Sequence, residues 1–147
     1  MQLSTESSNA SLSTIDPNDP IQALALAIAD SADSLKALAI RIIDVRGIVS
    51  YADYIVVCHG TSGTHARSIA ETIRNDMRDA GADLRHIEGS QSSEWVLLDF
   101  FDVVVHVFIE NARYEYAIES LFADAPRVPF ESEEPEGHAP VSFDFDS

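Results

Sequence analysis

The stretch 94–108, E-W-V-L-L-D-F-F-D-V-V-V-H-V-F, leaves a chain few ways to fold. Its two apolar runs, 94–99 and 102–110, read as strands set back to back around a turn at Phe100-Phe101. The same stretch carries the only tryptophan, Trp95, the acids Asp99 and Asp102, and a lone histidine, His106. It must therefore supply core while displaying polar side chains, as a surface for gripping another macromolecule does.

A second strand precedes it at 53–59, D-Y-I-V-V-C-H, and its continuous apolar middle implies burial on both faces, as in a central strand. The loop 60–64, G-T-S-G-T, opens a helix over 65–80 that Ser62 or Thr64 can cap. Its apolar stripe is Ala66, Ile69, Ala70, Ile73 and Met77, and Gly81 closes it. Nearer the start, Asp19 and Pro20 form a cap and first turn, with Ile21, Leu24, Ala25 and Ile28 at helical spacing; Asp30-Ser31-Ala32-Asp33 ends or breaks this helix. A strand over 39–45 turns at Arg46-Gly47, and Ser50-Tyr51-Ala52 connects onward. A strand over 83–88, a polar loop over 89–93 and a short amphipathic helix over 114–122 complete the pattern. The order specifies an α/β fold, a mixed β-sheet with helices packed on it. The unit at 53–80 should send the next strand back parallel. Residues 1–18, rich in Ser and Thr, and residues 128–147, an acidic stretch with three prolines and no Lys or Arg, read as disordered ends of a 19–127 domain.

Charge narrows the partners. With 25 acids against 9 bases the net charge is -16, which argues against binding nucleic acid through its phosphates and names no specific DNA partner. It suits a basic protein, or it serves solubility alone. The single Cys58 excludes an intramolecular disulfide and reads as a small buried hydrophobe. No basic start or apolar leader opens the chain and no apolar run reaches spanning length, so a cytoplasmic protein without membrane contact is expected.

Several residue types that can carry chemistry are present. The loop after His59 precedes a helix N-terminus, where backbone N–H groups can hold an anion; it lacks the Walker lysine and the dinucleotide glycine pattern. A nucleotidyltransferase would need two metal-holding carboxylates one residue apart on a following strand. Asp144 and Asp146 have that spacing but lie in the acidic tail, and Asp99 and Asp102 straddle a turn. His106 reads as a hydrogen-bonded core histidine. Neither a catalytic residue nor a metal ligand emerges, and no cofactor is expected. Trp95 reads equally as core or as a partly exposed anchor. Phe100-Phe101 tilts the balance, because two apolar side chains do not easily both hide at a turn tip.

These residues match a known family in order across about 20–127. Ile43-Asp44-Val45-Arg46-Gly47, Asp53-Tyr54-Ile55-Val56-Val57 with Gly60-Thr61-Ser62, His65-Ala66-Arg67, Glu88-Gly89, Trp95-Val96-Leu97-Leu98-Asp99, Asp102-Val103-Val104-Val105-His106-Val107-Phe108 and Arg113-Tyr114 carry the match. The chain resembles the ribosomal silencing factor family, also called the Iojap-related proteins. That resemblance implies a nucleotidyltransferase-like topology without the catalytic carboxylates. It implies a non-enzymatic translation repressor that binds the large ribosomal subunit through ribosomal protein fourteen, blocks subunit joining, and is often a homodimer off the ribosome. The contact residues it implies are Trp95, Asp99 and Asp102 with Glu88, and Leu98 and Phe100 as apolar neighbours. Two departures stand out: Phe101 where the family usually has glycine, and His59 in place of a small residue. Two rival readings remain, a phosphate-handling or nucleotidyltransferase-like enzyme using 60–64, and an adaptor for ribosome assembly.

Overall fold

The computed structural model describes residues 12–89 and 94–132. The elements run α1 (Pro20–Ser34), β1 (Leu38–Asp44), β2 (Tyr54–Gly60), α2 (Gly63–Asp79), β3 (His86–Glu88), β4 (Trp95–Asp99), β5 (Val103–Ile109), α3 (Glu110–Tyr116), a 3-10 turn (Ile118–Phe122) and β6 (Arg127–Val128). The strands form one mixed sheet in the order β3-β4-β5-β2-β1-β6. Every neighbouring pair is antiparallel except β2 with β5. β3 therefore runs in the direction of β2, as the crossover rule requires, but at the far edge, with β5 and β4 in between.

β2 is buried along its whole length because it is central and covered on both faces. On one face lie α1 and α2, packed over Ile40, Ile42, Val56, Cys58, Val96, Leu98, Val105 and Val107. On the other, a smaller cluster of Ile43, Ile55, Val57, Val104 and Phe108 is covered by Ala112 and Phe122 of the segment that follows β5. Asp19 caps α1 by accepting from the N–H groups of Ile21 (2.9 Å) and Gln22 (3.2 Å), and Ser62 caps α2 by accepting from His65 N–H at 3.1 Å.

Three expectations need correction. α1 is not broken at Asp30-Ser31-Ala32-Asp33 but ends one residue beyond, at Ser34; Ala32 is fully buried and the Ser31 hydroxyl donates to Asp76 Oδ2 on α2 at 2.7 Å. The single helix expected over 114–122 is two pieces, α3 and the 3-10 turn, divided at Ala117 with φ 48. The domain bounds at 19 and 127 are too tight. Val128 pairs with Ile42 in β6 and is buried, Phe130 packs on the helix-side core, Leu12 bridges Arg127, and the Ser13 hydroxyl donates to Asp44 at 2.6 Å. The rest of the expected disordered ends, and the loop over 90–93, lie outside the described residues.

Candidate functional site

The pleat of β4 sorts the central stretch into two sides. Val96 and Leu98 turn towards the helices, while Trp95, Leu97 and Asp99 turn away from them. Register extends that outer side over three strands. Glu88 lies opposite Leu97 and His86 opposite Asp99 on β3; Phe108, His106 and Val104 lie opposite Trp95, Leu97 and Asp99 on β5. On this side α3 covers β5 and reaches Trp95 through Tyr116, His106 is buried, Trp95, Leu97 and Asp99 are half-buried, and His86 and Glu88 are exposed.

Trp95 is half-buried at one end of it. Its indole N–H donates to His106 Nδ1 at 3.0 Å. Its ring lies against Phe108 (5.2 Å), His106 (5.8 Å) and Tyr116 of α3 (4.5 Å), all tilted. Burial pushes the His106 pKa down to about 4, so the imidazole is neutral near pH 7 and its Nδ1 is free to accept. A groove of about 290 Å³ opens beside the indole between Glu88, Gly89, Glu94, Leu97 and Tyr116. Gly89 is obligatory there. Its φ is +79, and a Cβ would run into the Trp95 carbonyl oxygen.

Asp99 stands at the other end of β4. Its Oδ1 accepts the Phe101 N–H at 2.8 Å, and its Oδ2 lies 3.7 Å from Arg85 Nε. Asp102 is exposed just beyond the turn, and its carbonyl accepts the Asp53 N–H at 2.7 Å. Burial, then the nearby charge of Asp102, raise the Asp53 pKa. Leu98 and Phe100 do not belong to this surface. They are 0% and 4% exposed and sit in the core beneath the helices. Leu98 alternates inward with the pleat, and Phe100 is turned inward where its N–H donates to the Val103 carbonyl at 2.9 Å. The exposed member of the pair is Phe101, at 49% and with φ 75. A bulky side chain in that left-handed region costs about 1–2 kcal/mol relative to glycine. Arg85 lies over its ring at 4.7 Å, an exposed contact that returns about 0.5–1 kcal/mol.

The implied contact residues thus fall at two poles of one surface, Trp95 with Glu88 and Asp99 with Asp102. Sequence reasoning marked Phe101 through the Phe100-Phe101 pair at the turn tip, and did not single out Leu97, Tyr116 or Arg85. The alternation of β4 marks Leu97; nothing local marks Tyr116, which reaches Trp95 only because α3 begins at Glu110.

The 60–64 loop is occupied by its own side chains. Thr61 N–H donates to His65 Nδ1 at 2.9 Å, and His65 Nε2 meets the Leu35 carbonyl at 2.7 Å. A Cβ on Gly60 would press on Ala66 N (2.9 Å) and the His65 ring (3.0 Å), so this glycine lets α2 pack closely on β2. Among the described residues no three of His, Cys, Asp and Glu converge as metal ligands would.

Comparison with known proteins bears on this geometry. The family profile described as "Ribosomal silencing factor during starvation" matches residues 18–143. The ribosomal silencing factor of Bacillus subtilis (strain 168) is 40% identical over 98 residues, covering 67% of this chain and 83% of the relative. That of Halalkalibacterium halodurans is 36% identical over 102 residues, covering 69% and 87%. A crystal structure of a protein from Chromobacterium violaceum superposes with a TM-score of 0.69 at 27% identity, over 80% of this chain and 96% of that one. The match spans the sheet, both of its faces and the Trp95 surface, and on these grounds the chain belongs to the ribosomal silencing factor family.

Proposed function

We propose that this protein is a non-enzymatic translation repressor of the cytoplasm. It binds the large ribosomal subunit through ribosomal protein fourteen and occupies the space the small subunit needs. The observation that supports this best is the outer side of β3–β4, where the half-buried Trp95, braced by Tyr116 of α3, shares a sheet surface with the acids Glu88 and Asp99. Trp95 contributes apolar anchoring area, with Leu97 beside it. Glu88, Asp99 and Asp102 face Lys and Arg of the ribosomal protein, and steer the encounter more than they add affinity. Off the ribosome, the same surface is where a second copy would sit.

Gradient sedimentation with separated subunits tests this. The protein should travel with the large subunit and reduce formation of the joined particle. Trp95→Ala should weaken that association by about thirtyfold, the ~2 kcal/mol of an interface hot spot, while keeping a cooperative melt. Unchanged co-sedimentation of the variant would refute the anchor. Subunits that join normally at saturating protein would refute the repressor.

A further inference from the structure

We infer that the turn between β4 and β5 is a seat for one arginine side chain of the basic partner, and that Arg85 fills that seat in the free protein. The inference rests on the reading of the protein as a binder of a basic ribosomal surface, and names a residue class that surface must present. Three observations at the turn converge. Asp99 has one oxygen, Oδ1, committed to the Phe101 N–H at 2.8 Å, and the other, Oδ2, faces the same guanidinium that lies over the Phe101 ring. Phe101 presents half of its surface to solvent from a left-handed backbone. A guanidinium already lies there: Arg85 Cζ is 4.7 Å from the ring centroid and its Nε is 3.7 Å from Asp99 Oδ2.

A carboxylate edge beside an aromatic plane is a combination a guanidinium fits and an ammonium fits less well, because the planar cation can stack and donate at once. Arg85 makes that fit loosely. Its Asp99 contact is longer than a hydrogen bond, and its side chain is 55% exposed. It is an occupant that another guanidinium can displace at little loss. Its backbone N–H, which donates to the Asp99 carbonyl at 2.7 Å, keeps the segment in place when the side chain leaves. The strained Phe101 also finds a reason here. A glycine would make the turn without strain but would remove the aromatic wall. Backbone strain of this kind persists where function holds it. Asp102, exposed next to Phe101, adds a second negative charge at the mouth.

Arg85→Gln vacates the seat without disturbing the turn, and Phe101→Gly removes its wall at a position whose φ of 75 glycine accepts freely. Arg74→Gln, on exposed ground of α2, makes the same change in net charge on the other side of the sheet. With purified large subunits, Arg85→Gln should bind about threefold tighter than the parent protein and tighter than Arg74→Gln. Phe101→Gly should bind about tenfold more weakly. An Arg85→Gln protein that binds no better than Arg74→Gln, or a Phe101→Gly protein that binds like the parent, would overturn the seat.

A second measurement stands apart from the ribosome. N-acetyl-arginine amide at millimolar concentration should move the Phe101 ring resonances of Arg85→Gln, and the neutral citrulline analogue should not. Equal response to both compounds, or response to neither, would also overturn the seat. Should the parent protein fail to bind large subunits at all, the repressor reading falls, and the amide titration alone decides whether the turn takes an arginine.

Discussion

A single proton governs the contact between Trp95 and His106. The indole can only donate, so the bond at 3.0 Å requires His106 Nδ1 to be an unprotonated acceptor. Burial secures this by pushing the His106 pKa down to about 4. His59 follows the same logic on β2, on the same face of the sheet: burial first, then the guanidinium of Arg113 at 3.0 Å from its Nδ1, pushes it down to about 3. Both histidines titrate near 6.5 in an unfolded chain. Between that value and the folded one, the unfolded state holds more protons, so stability must fall as the solution is acidified. The full contribution of the neutral pair is present above pH 6.5; the loss accumulates down to about pH 4 for His106 and about pH 3 for His59. Because Trp95 is the only tryptophan, its fluorescence should report this directly, with a change centred near pH 4 instead of 6.5 that disappears in His106→Gln. A transition near 6.5 in the folded protein would show that the imidazole is not held as described. The hydrogen-bonded character of His106 was legible from its place among valines. Its partner was not, because β4 and β5 had to be paired in register to bring position 95 beside position 106.

The elements differ in how openly the chain declares them. α2, β2 and the β4–β5 hairpin were readable because pattern, capping residue and closing glycine all agree. The segment after β5 was not, and its cause is a contact that helical spacing cannot show. Arg113 donates twice to Glu119, at 3.0 and 3.1 Å, and again to His59 and the Leu38 carbonyl. Residues six apart on a continuous helix do not face each other. The left-handed Ala117 folds the chain back and lets them meet. This buried pair pins α3 and the 3-10 turn to the sheet, so Arg113→Leu should destabilise the protein by about 3–5 kcal/mol in chemical denaturation, since it strands Glu119 in a buried place. A loss below ~1 kcal/mol would mean the pair is incidental. β6 escaped notice for a simpler reason: two residues carry no periodicity. In the β3–β4 connection, Gly89→Ala should cost about 2 kcal/mol, because the new Cβ meets the Trp95 carbonyl at a positive φ. Equal thermal stability of that variant would contradict the close approach.

Across the whole molecule, the proposed function assigns the net charge of -16 and the acids Glu88, Asp99 and Asp102 a part in encounter more than in the bound state. Raising salt from about 0.05 to about 0.5 M should slow association with large subunits by about tenfold and leave dissociation nearly unchanged. A rate indifferent to salt would remove the steering. No helix among the described residues is long and apolar enough to cross a membrane. The sequence stated the layers of this fold well, but not which side of β4 would stay bare, since that depends on α3 stopping short of β3. The bareness has its own consequence. α1 and α2 lie behind this side of the sheet, so its backbone is braced before any partner arrives, and engagement asks for side chains such as Arg85 to move while the layers stay as they are.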